Sequence, residues 1–159
     1  MSIAVESRAT RGMIQLALEK MRRSRFADAR HDLEAALRAD PEQPWAMSYY
    51  GLCLAHLGDV QRGLKFCAFA AERQPADVVL RVNLGKVHRI AGNNAAAHRA
   101  FVFAWKVDRR HPGPASELAR MGIRRPPVIG FLPRGHWCNR QLGRLRFRLQ
   151  RAFGGRPVA

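Results

Sequence analysis

Between residues 10 and 111, apolar side chains recur at the three- and four-residue spacing of helices, and no stretch alternates with the two-residue period of a strand. The helical pattern is itself repeated. A shift of 34 residues aligns Leu16-Ala17 with Tyr50-Gly51 and Leu84-Gly85, and Ala29 with Gly63 and Ala97. The same shift superimposes Leu33, Cys67 and Phe101, then Ala36, Ala70 and Ala104, and pairs Pro41 with Pro75 and Gly58 with Gly92. The spacing predicts helices over about 8–22, 26–39, 45–57, 60–73, 78–91 and 94–109.

The residue types in these columns explain why they recur. Gly51, Gly63, Gly85 and Ala97 are small enough for two antiparallel helices to cross closely, and Leu33, Cys67 and Phe101 fill the space between them. Gly58-Asp59 and Gly92-Asn93 read as a glycine that ends one helix followed by a side chain able to cap the next. Pro44 and Pro75 mark turns between units. The body is therefore expected to be three helical hairpins stacked side by side.

On these columns the chain resembles the tetratricopeptide-repeat family, with units at 10–43, 44–77 and 78–111. The resemblance implies an all-α fold: a right-handed superhelical stack of three antiparallel helix pairs that binds other proteins on its concave face. There are departures from the family pattern. The large aromatic residue expected early in each first helix is replaced by Met13, Met47 and Arg81, and the third unit's closing proline comes three residues late at Pro112, so the last helix is expected to run a turn longer than its predecessors. Some members of the family grip a terminal carboxylate with lysines, asparagines and an arginine. Ile14, Leu18, Tyr49, Val79 and Asn83 stand at the corresponding places, so the resemblance does not extend to that clamp.

Projected at helical spacing, the concave face should present Arg11, Ile14, Leu18, Met21 and Arg22 from the first unit and Trp45, Ser48, Tyr49, Leu52 and His56 from the second. The third should add Val79, Val82, Asn83, Lys86 and Arg89. The expected peptide-binding residues among them are Arg22, Trp45, Tyr49, Leu52, His56, Asn83, Lys86 and Arg89, an apolar and aromatic centre edged by cations. Such a groove suits a protein or peptide segment offering bulky apolar anchors and acidic residues. The competing reading is that Trp45, Leu18 and Leu52 simply pack between neighbouring helices.

Charge divides the chain. Residues 1–112 hold 18 basic and 11 acidic side chains, whereas 113–159 hold 10 arginines and the single acid Glu117, within a total of +16. The first part reads as the three-repeat domain and the second as a C-terminal extension. In the extension, Pro114 to Met121 can form a short capping helix, because Leu118-Ala119 falls one more repeat step after Leu84-Gly85. The stretch RRPPVIGFLPRGHW at 124–137 should be extended, with Val128, Ile129, Phe131 and Leu132 docked on the stack, in its groove or on a partner. Asn139 to Phe153 reads as a basic amphipathic helix with Leu142, Leu145 and Leu149 on one side and Arg140, Arg144, Arg148 and Arg151 at intervals of three or four. That helix either caps the stack, binds an acidic protein surface, or makes weak contact with an anionic polymer or membrane surface. Arginine outnumbers lysine 24 to 4, which is as consistent with compositional bias as with phosphate recognition.

Enzymatic chemistry finds no foothold. There is no G-x-S-x-G elbow, phosphate-cradling glycine loop or H-E-x-x-H helix, and the six histidines are scattered. Cys53, Cys67 and Cys138 form no C-x-x-C pair and read as thiols of a reducing compartment. No run approaches the roughly 18 apolar residues of a spanning helix. A cytoplasmic, non-enzymatic adaptor or scaffold without cofactor, metal or small-molecule substrate is the expectation. One alternative is a module held to nucleic acid or membrane by its Arg-rich helix. The other follows from size: three repeats in 159 residues resemble bacterial secretion chaperones, although those are typically acidic.

Overall fold

The computed structural model describes residues 2–122, with side chains from residue 8, together with residues 137, 138, 141, 142 and 145. Among them there are seven α-helices and no strand: α1 (Ser2–Arg22), α2 (Phe26–Ala39), α3 (Pro44–His56), α4 (Val60–Arg73), α5 (Val78–Ile90), α6 (Asn94–Val107) and α7 (Pro112–Met121). Helices pair as α1/α2, α3/α4 and α5/α6, and successive pairs pack on one another. The first helices of the units, α1, α3, α5 and then α7, also touch in series and make one continuous layer.

The repeated columns are the core. Leu33, Cys67 and Phe101 are fully buried at the centres of their hairpins, as are Ala29 and Ala97, and Ala36, Ala70 and Ala104. Gly85 lies under Phe101, where a Cβ would come within 2.7 Å of the ring's Cδ1. Burial pushes the Cys53 and Cys67 thiols up to about 12, so both stay protonated, and Cys67 donates to the Ser48 carbonyl at 3.2 Å.

The hairpin turns share one construction. Gly58 and Gly92 take left-handed φ angles of 99° and 75°, and the next residue returns a backbone bond to the preceding helix, Asp59 to Leu54 and Asn93 to His88, each at 2.9 Å. Asp59 and Asn93 then cap α4 and α6 by accepting from the Arg62 and Ala96 amides. In the first unit the same places hold Ser24, with φ 59°, and Arg25, which gives no side-chain cap. A non-glycine residue in the left-handed region costs roughly 1–2 kcal/mol, and a missing cap about 1 more. Replacing Ser24→Gly together with Arg25→Asn should therefore raise stability by about 1–2 kcal/mol, read as a higher urea midpoint at unchanged slope.

Helix ends depart from expectation at three points. The first helix begins at Ser2, not near residue 8. The last helix of the third unit stops at Val107 and is no longer than its 14-residue counterparts, because Asp108 turns extended and its side chain accepts from the Arg110 amide at 2.8 Å. Pro112 consequently starts α7 rather than closing α6. Packing groups residues through Met121 as one compact unit, with α7 against α5 and α6. Beyond it, Trp137, Cys138, Gln141, Leu142 and Leu145 are helical. Trp137 was expected to be extended, but it lies past the local restriction that Pro133 imposes. The Val128–Leu132 segment and Arg140, Arg144, Arg148 and Arg151 lie outside the described residues.

Candidate functional site

The layer formed by α1, α3, α5 and α7 carries the site. At one end, the Trp45 indole donates to Asp77 Oδ2 at 2.8 Å, while Asp77 Oδ1 accepts the Val79 and Leu80 amides and caps α5. This ties the opening turn of α3 to that of α5 and leaves Trp45 43% exposed. One turn on stands the partly buried Tyr49, and beside it Asn83 donates to Ser48 Oγ at 3.1 Å. Burial, and then the Asp77 charge, raise the Tyr49 hydroxyl above its ordinary value, with Arg22 pulling the other way. The phenol therefore stays protonated and serves as a hydrogen-bonding group.

The far end is cationic. His56 stacks on Phe26 with centroids 3.9 Å apart and rings 7° from parallel. Burial, then Lys86 and Arg89, hold its imidazole below the usual histidine range. Those two cations converge on Glu117 of α7, Lys86 Nζ at 3.9 Å and Arg89 Nη1 at 3.2 Å, with Arg120 adding a third contact at 3.5 Å. Glu117 is only 3% exposed, and among the described residues none gives its Oε2 an aligned hydrogen bond. The carboxylate is held there by charge.

Two expectations are corrected here. Leu52 does not line the surface: it is buried with Ala55, Cys67 and Val87. Asn83 is also buried, its side chain bonded to Ser48, and Ile14, Ser48 and Val82 are interior too. The reason is that α3 touches both α1 and α5, so side chains projected toward the groove fill the contacts between neighbouring first helices. Lys86 and Arg89, expected as open edge cations, already face an internal acid. The structure brings Trp45, Tyr49, His56, Lys86 and Arg89, with Arg22 beside Tyr49, onto one side of the stack. Asp77 and Glu117 were missed, although Glu117 announces itself as the lone acid of its region and lies one repeat step after Asn83.

The depressed histidines set a pH dependence. His56 and His88 both titrate below the ordinary 6.5, His88 because of burial and then Arg99, so the folded state binds fewer protons than the unfolded chain below that value. Their stabilisation is complete above about pH 6.5 and is lost as pH falls through their folded values. Melting temperature should drop between pH 7.5 and 5.5, and drop less in a His56→Gln, His88→Gln variant, measured by circular dichroism.

Among the described residues no helix is long and apolar enough to cross a membrane, and no group of three or more His, Cys, Asp or Glu side chains is placed to hold a metal ion. The architecture is that of a helical-hairpin solenoid presenting one polar and aromatic face. A model of the tetratricopeptide repeat matches residues 14–78, so that stretch carries tetratricopeptide repeats. Among solved structures, it is similar to the first tetratricopeptide domain of Spaghetti bound to an HSP90 peptide, at 11% identity and TM-score 0.60 over 72% of this chain and 91% of that one. The tetratricopeptide protein YrrB, described as having an unusual peptide-binding site, matches at 19% identity and TM-score 0.57 over 67% of this chain and 55% of its own. The Yersinia enterocolitica secretion chaperone SycD, in complex with a peptide of the translocator YopD, matches at 14% and 0.55 over 69% and 84%. No curated protein sequence matches the chain.

Proposed function

We propose that the protein is a non-enzymatic adaptor that holds a segment of another protein across α3 and α5. The observation that carries this reading is the ladder running from Trp45 through Tyr49 to His56, Lys86 and Arg89. It offers exposed aromatic surface at one end and cations at the other, on helices cross-tied by the Trp45–Asp77 and Asn83–Ser48 bonds. Preformed ties of this kind reduce the ordering cost of binding. The favoured partner is an extended or helical segment with bulky apolar anchors and acidic residues. Its acids would reach Lys86 and Arg89 by exchanging with Glu117, which is held by charge without an aligned bond to Oε2. The peptides bound by the Spaghetti domain and by SycD support a peptide ligand for this fold. The SycD likeness also keeps a secretion-chaperone role as a narrower form of the same activity.

Pull-down from the native host with the full chain, followed by comparison with a Trp45→Ala, Tyr49→Ala variant, tests the reading. Truncating two interface aromatics should cost at least about 2 kcal/mol, or roughly thirtyfold in affinity. Equal capture by a folded variant would refute it.

The reading in which the protein attaches to an anionic surface rests on the +9 carried by residues 113–159, with 10 arginines against Glu117. Deleting 139–159 removes six arginines and should abolish most of the salt dependence of RNA or anionic-vesicle binding.

A further inference from the structure

The side of the stack formed by α2 and α4 carries a second opening. Two hollows, of about 430 and 340 Å³, share Met47 and Phe66 as a common wall. Each falls within the range of roughly 300–1,000 Å³ typical of ligand sites. Together they make a trough that runs from Phe69 on α4 across Met47 to Leu37 on α2.

The walls say what fits. Phe69 is 43% exposed, yet its ring is pinned beneath Arg73, whose guanidinium lies 5.0 Å from the centroid and is fixed by two bonds to Glu42 at 3.0 and 2.9 Å. Phe66 is held edge-on against Tyr50 with centroids 5.0 Å apart. The trough is therefore a rigid apolar slot. Its one acid, Glu34, is already engaged by the Tyr50 hydroxyl and by Arg30, each at 3.3 Å. Arg38 and Lys65 stand at opposite ends of the slot with no acid partner among the described residues. In the third unit, Arg81 occupies the column of Met47 and lays its guanidinium 4.6 Å from the Phe103 ring centroid. The unbranched Met47 provides no such cover in the second unit, and the slot stays open.

The geometry points to a second docking site, separate from the surface across α3 and α5. It takes a protein segment that inserts a large apolar side chain beside Phe66 and sets carboxylates against Arg38 and Lys65. An apolar slot with a cation at each end selects an acidic segment over a basic or neutral one, since like charges at the rim repel the wrong partner. The protein can then hold two segments at once, one on each side of the stack.

The test uses the full chain carrying Trp45→Ala and Tyr49→Ala, so that binding across α3 and α5 is weakened and the outer slot is read alone. The probe is a fluorescein-labelled peptide with two phenylalanines one helical turn apart among glutamates, followed by fluorescence anisotropy. It should bind this background. Affinity should fall at least about tenfold when Met47→Trp fills the slot from within, or when Arg38→Glu and Lys65→Glu reverse its rim. The rim pair leaves the core untouched, so it answers the question even if Met47→Trp fails to fold. A peptide with alanine in place of both phenylalanines should bind at least about tenfold more weakly than the parent. The proposal is overturned if the probe fails to bind the background, if binding survives both sets of changes, or if the alanine peptide binds equally well. It is likewise overturned if the parent chain self-associates and Met47→Trp renders it monomeric, which would assign the slot to a second copy.

Discussion

Alanine at Gly63 should lower stability, whereas alanine at Gly12, also inside a helix, should raise it. Helix propensity alone gives both substitutions a gain of up to about 1 kcal/mol. Space decides the sign. A Cβ on Gly63 would stand 2.6 Å from the Gly51 carbonyl oxygen, and one on Gly51 would stand 2.7 Å from the Gly63 oxygen. Both obstacles are backbone, so α3 and α4 have to separate along their crossing, exposing Ala55 and Cys67, which are now buried. Overpacking costs about 1–3 kcal/mol and more when no side chain can yield, so the net loss at Gly63 should be about 2 kcal/mol, and leucine there should unfold the hairpin. Gly12 has nothing within 4 Å of its would-be Cβ. Urea titrations of Gly12→Ala and Gly63→Ala should therefore move in opposite directions from the parent. Parallel shifts would mean that the helices do not cross where the columns place them.

The second large effect is expected at Glu117. Lys86, Arg89 and Arg120 all point at its buried carboxylate, at 3.2 to 3.9 Å. Glu117→Lys would gather four cations at one buried point. Breaking a fully buried pair costs about 3–5 kcal/mol, but the three cations are 33–67% exposed and solvent screens them, so about 2–3 kcal/mol is the expected loss for the reversal. Since, among the described residues, α7 packs against α5 and α6, the loss should localise there. Hydrogen exchange should show α6 and α7 losing protection while α1 to α4 keep theirs. Glu117→Gln, which removes the charge but keeps the shape, should fall between, and it should strengthen capture of acidic peptides by releasing Lys86 and Arg89.

The hairpins were legible because a close helix crossing admits so few residue types. Gly51, Gly63, Ala36, Ala70 and Ala104 declare the buried side of each helix without knowledge of any partner, and Gly58-Asp59 and Gly92-Asn93 declare the turns through backbone conformation and capping. The site was less legible, because the face of α3 and α5 left open depends on how one unit rotates against the next. Local periodicity contains no such angle. Hence Leu52 and Asn83, which share a helical face with Tyr49 and Lys86, proved interior. The Glu117 contacts were invisible for the same reason: they exist only because α7 lies against α5 as an added first helix. The slot beside Met47 was hinted at by the missing aromatic, but its rim of Arg38 and Lys65 comes from helices that the sequence does not connect.

The most direct measurement is where a captured segment sits. Peptides selected from a random display library against the full chain would be added to isotope-labelled protein, and the perturbed amide and side-chain signals mapped. Selected sequences should be rich in acidic and bulky apolar residues, with perturbation at Arg22, Trp45, Tyr49, His56, Lys86 and Arg89. Basic selected sequences, or perturbation that leaves Trp45, Tyr49, Lys86 and Arg89 unmoved, would contradict the proposed binding across α3 and α5.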